Sequence, residues 1–123
     1  LTFLIFPVTL FARINSVRSG KMKANAFKLV ELTDAPEIVK KSTRQWSNIF
    51  EVPTLFYALS LLCLFLNLND PLFGILAWAF VIARCGHSIV HLSYNKVSHR
   101  LFFFVASNIF LVIFFLRLCF KTL

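Results

Sequence analysis

The stretch Arg44-Gln45-Trp46-Ser47-Asn48-Ile49-Phe50-Glu51-Val52-Pro53 decides the fold, because it carries a polar stripe into a segment that is otherwise apolar. Arg44, Asn48 and Glu51 are spaced i, i+4, i+7, so a helix sets them on one face. Beyond Glu51 no charged residue occurs until Asp70. A helix over that interval approaches the roughly 30 Å of a bilayer's hydrocarbon core. Ionisable groups inside a membrane segment are costly, so such a stripe faces a bundle interior or a wet cavity and marks a site.

Two further stripes lie outward from this one. Arg84, His87 and His91 close the next apolar segment at i, i+3, i+7, and Arg100 opens the last. Asn95 extends the second stripe by a turn if its helix continues. The spacing predicts four spans at about residues 1–18, 43–68, 71–92 and 99–120 in a single domain. Pro53 sits early in the second span, where a helix tolerates it. Pro71 suits the first turn of the third, and Gly20 suits the end of the first helix. Residues 21–43 are the one long polar stretch, expected to form a loop with short helical pieces. The first span begins at Leu1 and meets Arg13 after only about 18 Å of helix. Either that span is incomplete at its start, or Arg13 points into the bundle.

Composition agrees with a membrane class. The chain has 123 residues, 59% of them hydrophobic, and 16 are Phe. Its mean hydropathy is +0.78, well above that of soluble domains of this size. The net charge of +8 would suggest nucleic acid in a soluble protein. Here no recognition module accompanies it, and the basic residues gather in loops. Arg18, Lys21, Lys23, Lys28, Lys40, Lys41 and Arg44 lie in or beside the first loop, and Lys96 and Arg100 in or beside the third. The turn at Asn67–Pro71 holds no Lys or Arg. The positive-inside rule then makes the basic loops cytoplasmic and puts both termini on the opposite side. All three stripes fall near the cytoplasmic face. Cys63, Cys85 and Cys119 form no CxxC and read as small apolar residues.

The stripes permit a bland reading, in which Glu51 pairs with Arg84 and Asn48 bridges helices. The charge balance favours a ligand. Arg44, Arg84 and Arg100 outnumber Glu51, and an unpaired buried guanidinium is expensive. An anion carrying an ammonium group would satisfy that set. His87 and His91 form an i, i+4 pair, but Ser88 stands where HExxH has its glutamate, and flanking arginines repel a dication. No metal is expected. A proton relay or transporter built on Glu51 and the histidines is disfavoured, since no inverted repeat is present.

At these residues the chain resembles the MAPEG superfamily, the membrane-associated proteins of eicosanoid and glutathione metabolism. The family's Arg, Asn four later and Glu three later is matched by Arg44, Asn48 and Glu51, with Pro53 following. Its late third-span Arg, with a second Arg sixteen residues on, is matched by Arg84 and Arg100. That spacing is similar to the microsomal glutathione transferase branch. The resemblance implies an all-α integral membrane four-helix bundle assembled as a homotrimer in contact with membrane lipids. It implies glutathione as co-substrate, bound between subunits, with a hydrophobic small-molecule electrophile or lipid hydroperoxide as the second substrate. By position, Arg44, Asn48 and Arg84 would hold the tripeptide, Glu51 its ammonium, and Arg100 its thiolate. His91 stands where several family enzymes have Tyr, and would donate a hydrogen bond to the sulfur. His87 occupies another position that can be Tyr and is expected to contact the tripeptide. With both tyrosines replaced, a non-catalytic membrane binding or scaffold protein of the same fold is the alternative.

Overall fold

The structure, a computed structural model, describes residues 2–23 and 35–123. The described residues form four helices: α1 (Thr2–Arg18), α2 (Glu37–Phe65), α3 (Pro71–Leu92) and α4 (Val97–Thr122). They fall into two compact units, Leu1–Ile49 and Phe50–Leu123, with α2 running through the division. Among the described residues, α2, α3 and α4 are long and apolar enough to cross a membrane. α1 has 17 residues, about 25 Å of helix.

In the first unit, α1 lies against the N-terminal part of α2. The Thr9 hydroxyl donates to the Ser42 carbonyl at 3.3 Å as well as to Ile5 in its own helix. Arg13 is half-buried, and its Nη2 donates to Thr43 Oγ1 at 3.2 Å. The Arg13 side chain is therefore turned toward a polar partner on α2. Phe6 packs on Trp46 with ring centroids 5.6 Å apart. Gly20 follows α1 with φ +69°, and its N–H bonds the Val17 carbonyl. A left-handed residue after the helix satisfies its last carbonyls at little cost when that residue is Gly.

α2 begins at Glu37, six residues before the predicted span. Polarity suggested a loop there, yet polar residues outside a bilayer can remain helical. The Pro36 carbonyl accepts from Val39 and Lys40, and Glu37 pairs with Lys41 at 2.9 Å, one turn on. Lys28, Glu31 and Asp34, counted with the first loop, lie outside the described residues. Pro53 leaves α2 unbroken. Its ring removes an N–H from the ladder, and the Thr54 hydroxyl donates to the Phe50 and Glu51 carbonyls nearby. The helix stops at Phe65 rather than near residue 68. Leu68 N–H bonds Cys63 O and Asn67 N–H bonds Leu64 O, with Asn67 at φ 52°. This is the paired-bond helix ending that Asn can supply in place of Gly.

The second unit holds the rest of α2 with α3 and α4. Asp70 caps α3, accepting from Leu72 N–H at 3.1 Å, with Pro71 in the first turn. Its Oδ2 also accepts from Arg117 Nε at 3.0 Å and Nη2 at 2.7 Å, and Lys121 stands 3.6 Å away. Arg117 and Leu72 together hold the Asp70 carboxyl below the usual carboxylate range. Beneath it lies a core of Cys63, Phe73, Leu76, Phe114 and Leu118. Phe56 stacks on Phe80 at 4.4 Å, and Phe73 meets Phe114 at 5.0 Å. Outward faces carry Leu64, Phe65, Trp78 and Phe102, all largely exposed. In water such a surface would be an association hazard. In a bilayer it meets a solvent of its own kind.

Candidate functional site

The tightest helix contact in the second unit is between α3 and α4, and small residues make it so. Gly86 is the position that demands close approach: a Cβ there would lie 2.6 Å from Phe103 Cε1. Ala83, Ser88 and Ser107 are buried as well, consistent with small side chains drawing membrane helices together.

This packing buries the second polar stripe. Arg84, His87 and His91 are only 2%, 3% and 2% exposed. The i, i+3, i+7 spacing keeps them on one face of α3, and the two imidazole rings lie 6.0 Å apart. α4 supplies Phe104, whose ring centroid is 5.9 Å from the Arg84 guanidinium carbon. That is within cation–π range, and the burial of Arg84 makes the contact stronger than it would be in water. The His87 ring lies 6.0 Å from the same Phe104 ring. The Ser88 hydroxyl turns back to the Arg84 carbonyl at 2.9 Å.

His87 reaches across to α4. Its Nδ1 is 3.1 Å from the backbone carbonyl of Arg100. A carbonyl only accepts, so Nδ1 carries the proton. In the neutral ring Nε2 is then an acceptor. It is buried and has no hydrogen-bond partner among the described residues. Arg84, His91 and Arg100 all lie within electrostatic reach of this imidazole.

Arg100 is half-buried in the first turn of α4, which starts at Val97, two residues before the predicted span. Its Nη1 donates to Asn95 Oδ1 at 3.1 Å. Asn95 does not continue the α3 stripe, because α3 ends at Leu92. It adopts φ 50° and bonds Val90 O through its N–H. Its side chain holds Arg100 from the connecting turn. Beside it, the Tyr94 hydroxyl meets His99 Nδ1 at 2.8 Å.

On α2, Glu51 is exposed, yet it and Tyr57 act electrostatically on Arg84. The second unit therefore gathers Arg84, His87, His91 and Arg100, with Glu51 in electrostatic range. Arg44 and Asn48 belong to the first unit, earlier on α2, where Arg44 is exposed and Asn48 half-buried. Sequence reasoning missed Phe104 and Tyr57. Phe104 lies i+4 from Arg100, a spacing that was available, but it is one of 16 Phe residues and had nothing to single it out.

Chemically, the cluster is cation-rich, with Arg84, His87 and His91 shut off from solvent and Arg100 half-buried. Fixed guanidiniums in such surroundings stabilise negative charge far better than they do in water.

Comparison with known proteins adds one match. The MAPEG family's sequence model matches residues 1–120. Searches of curated proteins and of solved structures each gave no match.

Proposed function

The chain belongs to the MAPEG family of integral membrane proteins, and on that premise we propose that it is a glutathione-dependent transferase or peroxidase acting on hydrophobic electrophiles. The observation that carries the reading is the gathering of Arg84 and Arg100 around the buried His87, with Glu51 as the carboxylate acting on Arg84. A cluster with that balance calls for an anionic ligand, and Glu51 leaves a place for the ligand's ammonium. Glutathione has both features.

In this reading Arg44, Asn48 and Arg84 hold the carboxylates and backbone of the tripeptide, and Glu51 takes its γ-glutamyl ammonium. Arg44 and Glu51 are exposed in the single chain, and so open to a ligand and to a neighbouring subunit. A site completed by the next protomer of a homotrimer, facing the cytoplasm, fits that exposure and the basic loops. Arg100 lies beside the sulfur. A thiol with a pKa near 8.5 is mostly protonated at neutral pH, and an adjacent guanidinium lowers that value. His91 donates a hydrogen bond to the thiolate.

The thiolate attacks an electrophilic carbon, a C–S bond forms, and the leaving group departs with the electron pair. With a lipid hydroperoxide, sulfur takes the terminal oxygen, the O–O bond breaks, and the alkoxide picks up a proton to become an alcohol. A second glutathione then converts the sulfenic acid to a disulfide and water. The apolar substrate arrives laterally from the bilayer.

The test is ultraviolet difference absorbance of the detergent-solubilised protein titrated with glutathione. A saturable thiolate band at neutral pH that vanishes in Arg100→Ala supports the reading. Glutathione binding with no thiolate and no turnover across an electrophile panel would replace it with the non-catalytic binder.

A further inference from the structure

We propose that His87 and Asn95 are positioning residues that aim the Arg100 guanidinium, an inference that rests on Arg100 being the group that stabilises the thiolate. Two hydrogen bonds converge on this one residue from outside α4. His87 Nδ1–H holds its carbonyl at 3.1 Å, thirteen residues away in sequence. Asn95 Oδ1 holds its Nη1 at 3.1 Å. One bond fixes where the first turn of α4 begins relative to α3. The other fixes which way the side chain leaves it.

The need for both follows from the side chain. Arg carries a long flexible stem, and Arg100 is only half-buried, so packing alone leaves it many rotamers. An electrostatic catalyst works by being in place before charge develops. The flanking turn is built for the purpose. Asn tolerates the left-handed region better than most residues, so at φ 50° Asn95 can close α3 and present its amide oxygen to α4 at the same time. His87 differs here from the sequence expectation. Its Nδ1 is committed to the protein backbone rather than to a ligand, and its 3% exposure suits an internal brace.

The experiment uses the full chain in detergent. Arg100 is labelled with phenylglyoxal in the absence of glutathione and located by peptide mass spectrometry. Thiolate formation and kcat and KM for glutathione are then measured on the same variants. Asn95→Gly keeps the left-handed turn and removes the acceptor, whereas Asn95→Asp retains an acceptor oxygen. His87→Leu removes the brace, whereas His87→Asn offers an amide N–H near the position of Nδ1.

Asn95→Gly is expected to raise the Arg100 labelling rate about tenfold, the weight of a hydrogen bond involving a charged group, and His87→Leu roughly two- to fivefold, since its bond joins two neutral groups. They are also expected to lower kcat by roughly 10- to 100-fold with KM for glutathione little changed. Asn95→Asp and His87→Asn should restore most of both. Labelling at the wild-type rate in Asn95→Gly and His87→Leu would overturn the proposal. So would a raised KM at unchanged kcat in His87→Leu, which would make His87 a direct ligand contact. If labelling follows the expected pattern but wild-type protein forms no thiolate, the anchoring of Arg100 holds and the glutathione reading is what fails.

Discussion

The α3–α4 pair uses charge in opposite ways at its two ends. At the end where α3 begins, Asp70 accepts two hydrogen bonds from Arg117, lies 3.6 Å from Lys121 and caps its own helix. The aromatic core around Phe73 and Phe114 packs beneath it. At the end where α3 closes, Arg84, His87 and His91 are buried and Arg100 reaches in from α4, with hydrogen bonds to neutral groups. At the first end the cations meet a carboxylate directly, as in a structural clamp. The other buries the Arg84 guanidinium and two imidazoles, a costly arrangement that is kept where a site needs it. The residue types alone do not separate the two, since both contain arginine on a membrane helix. The partners do.

The widest break in this comparison should come from Arg100→Ala. If the second end stabilises an anion, loss of this guanidinium lowers kcat for conjugation by about 10²-fold or more. The thermal unfolding midpoint should stay close to wild type, because Arg100 is half-buried and not part of the aromatic core. Arg117→Ala should do the reverse, lowering the midpoint and leaving kcat alone. Steady-state conjugation rates and thermal melts on the two variants decide it, and a similar loss of activity in both would erase the distinction between the ends.

Next in size is Gly86→Ala. Its Cβ would sit 2.6 Å from Phe103 Cε1 and 2.8 Å from Cδ1. Overpacking of this kind costs about 1–3 kcal/mol, against a gain of up to about 1 kcal/mol in helix propensity. A net loss of stability is expected, read as a lower midpoint, with thiolate formation weakened because α4 carries Arg100. A midpoint at or above wild type would show that the Phe103 ring can turn aside and that Gly86 does not set the helix spacing.

These contrasts also show what the sequence could and could not disclose. Four helices and their order were legible, because apolar runs are broken by Gly20, by Asn67 to Pro71, and by Asn95 with its neighbours. The Arg84, His87, His91 face was legible from spacing alone. The start of α2 at Glu37 was not, since hydropathy reports the bilayer and not the helix. The inward turn of Arg13 toward Thr43 remained one of two alternatives, because the short run before it has two physical explanations. Asn95 was legible as a residue of the loop after α3, but its bond to Arg100 was not, because spacing does not show where a side chain leaves a left-handed turn residue. The Asp70–Arg117 pair was invisible for another reason: the partners lie 47 residues apart, and only packing joins them.

Acid should act on the first end in a definite direction. The Asp70 carboxyl is held below its ordinary value, chiefly by Arg117, so the folded state favours the charged form. Its contribution is fully present above the unfolded carboxylate pKa of about 3.9. It is lost as pH falls through the lower folded value. The protection factors of the Leu72 and Phe73 amides, each exchange rate taken relative to the intrinsic rate at the same pH, should therefore fall at pH values below about 4. Asp70→Asn should show the same loosening at neutral pH while keeping the helix cap, since Asn caps as well as Asp. If that variant exchanges as slowly as wild type, the cap alone holds this end and the ion pair is incidental.

The smallest effect, and one of opposite sign, belongs to Gly74→Ala. Gly74 lies on the same helix as Gly86, twelve residues earlier, yet a Cβ there meets nothing within 4 Å. It lines an open groove of about 530 Å³ with Cys63, Leu64, Phe73 and Ala77. With no clash to offset it, the gain in helix propensity stands alone, up to about 1 kcal/mol. The midpoint should rise slightly. Set beside Gly86→Ala, the same substitution in the same helix then changes sign with position. That outcome would tie the cost at Gly86 to the close approach of α4 and not to a general dislike of larger side chains on α3. Two losses of equal size would mean instead that the groove beside Gly74 is filled in the assembled protein, and that this face of α3 also meets a partner.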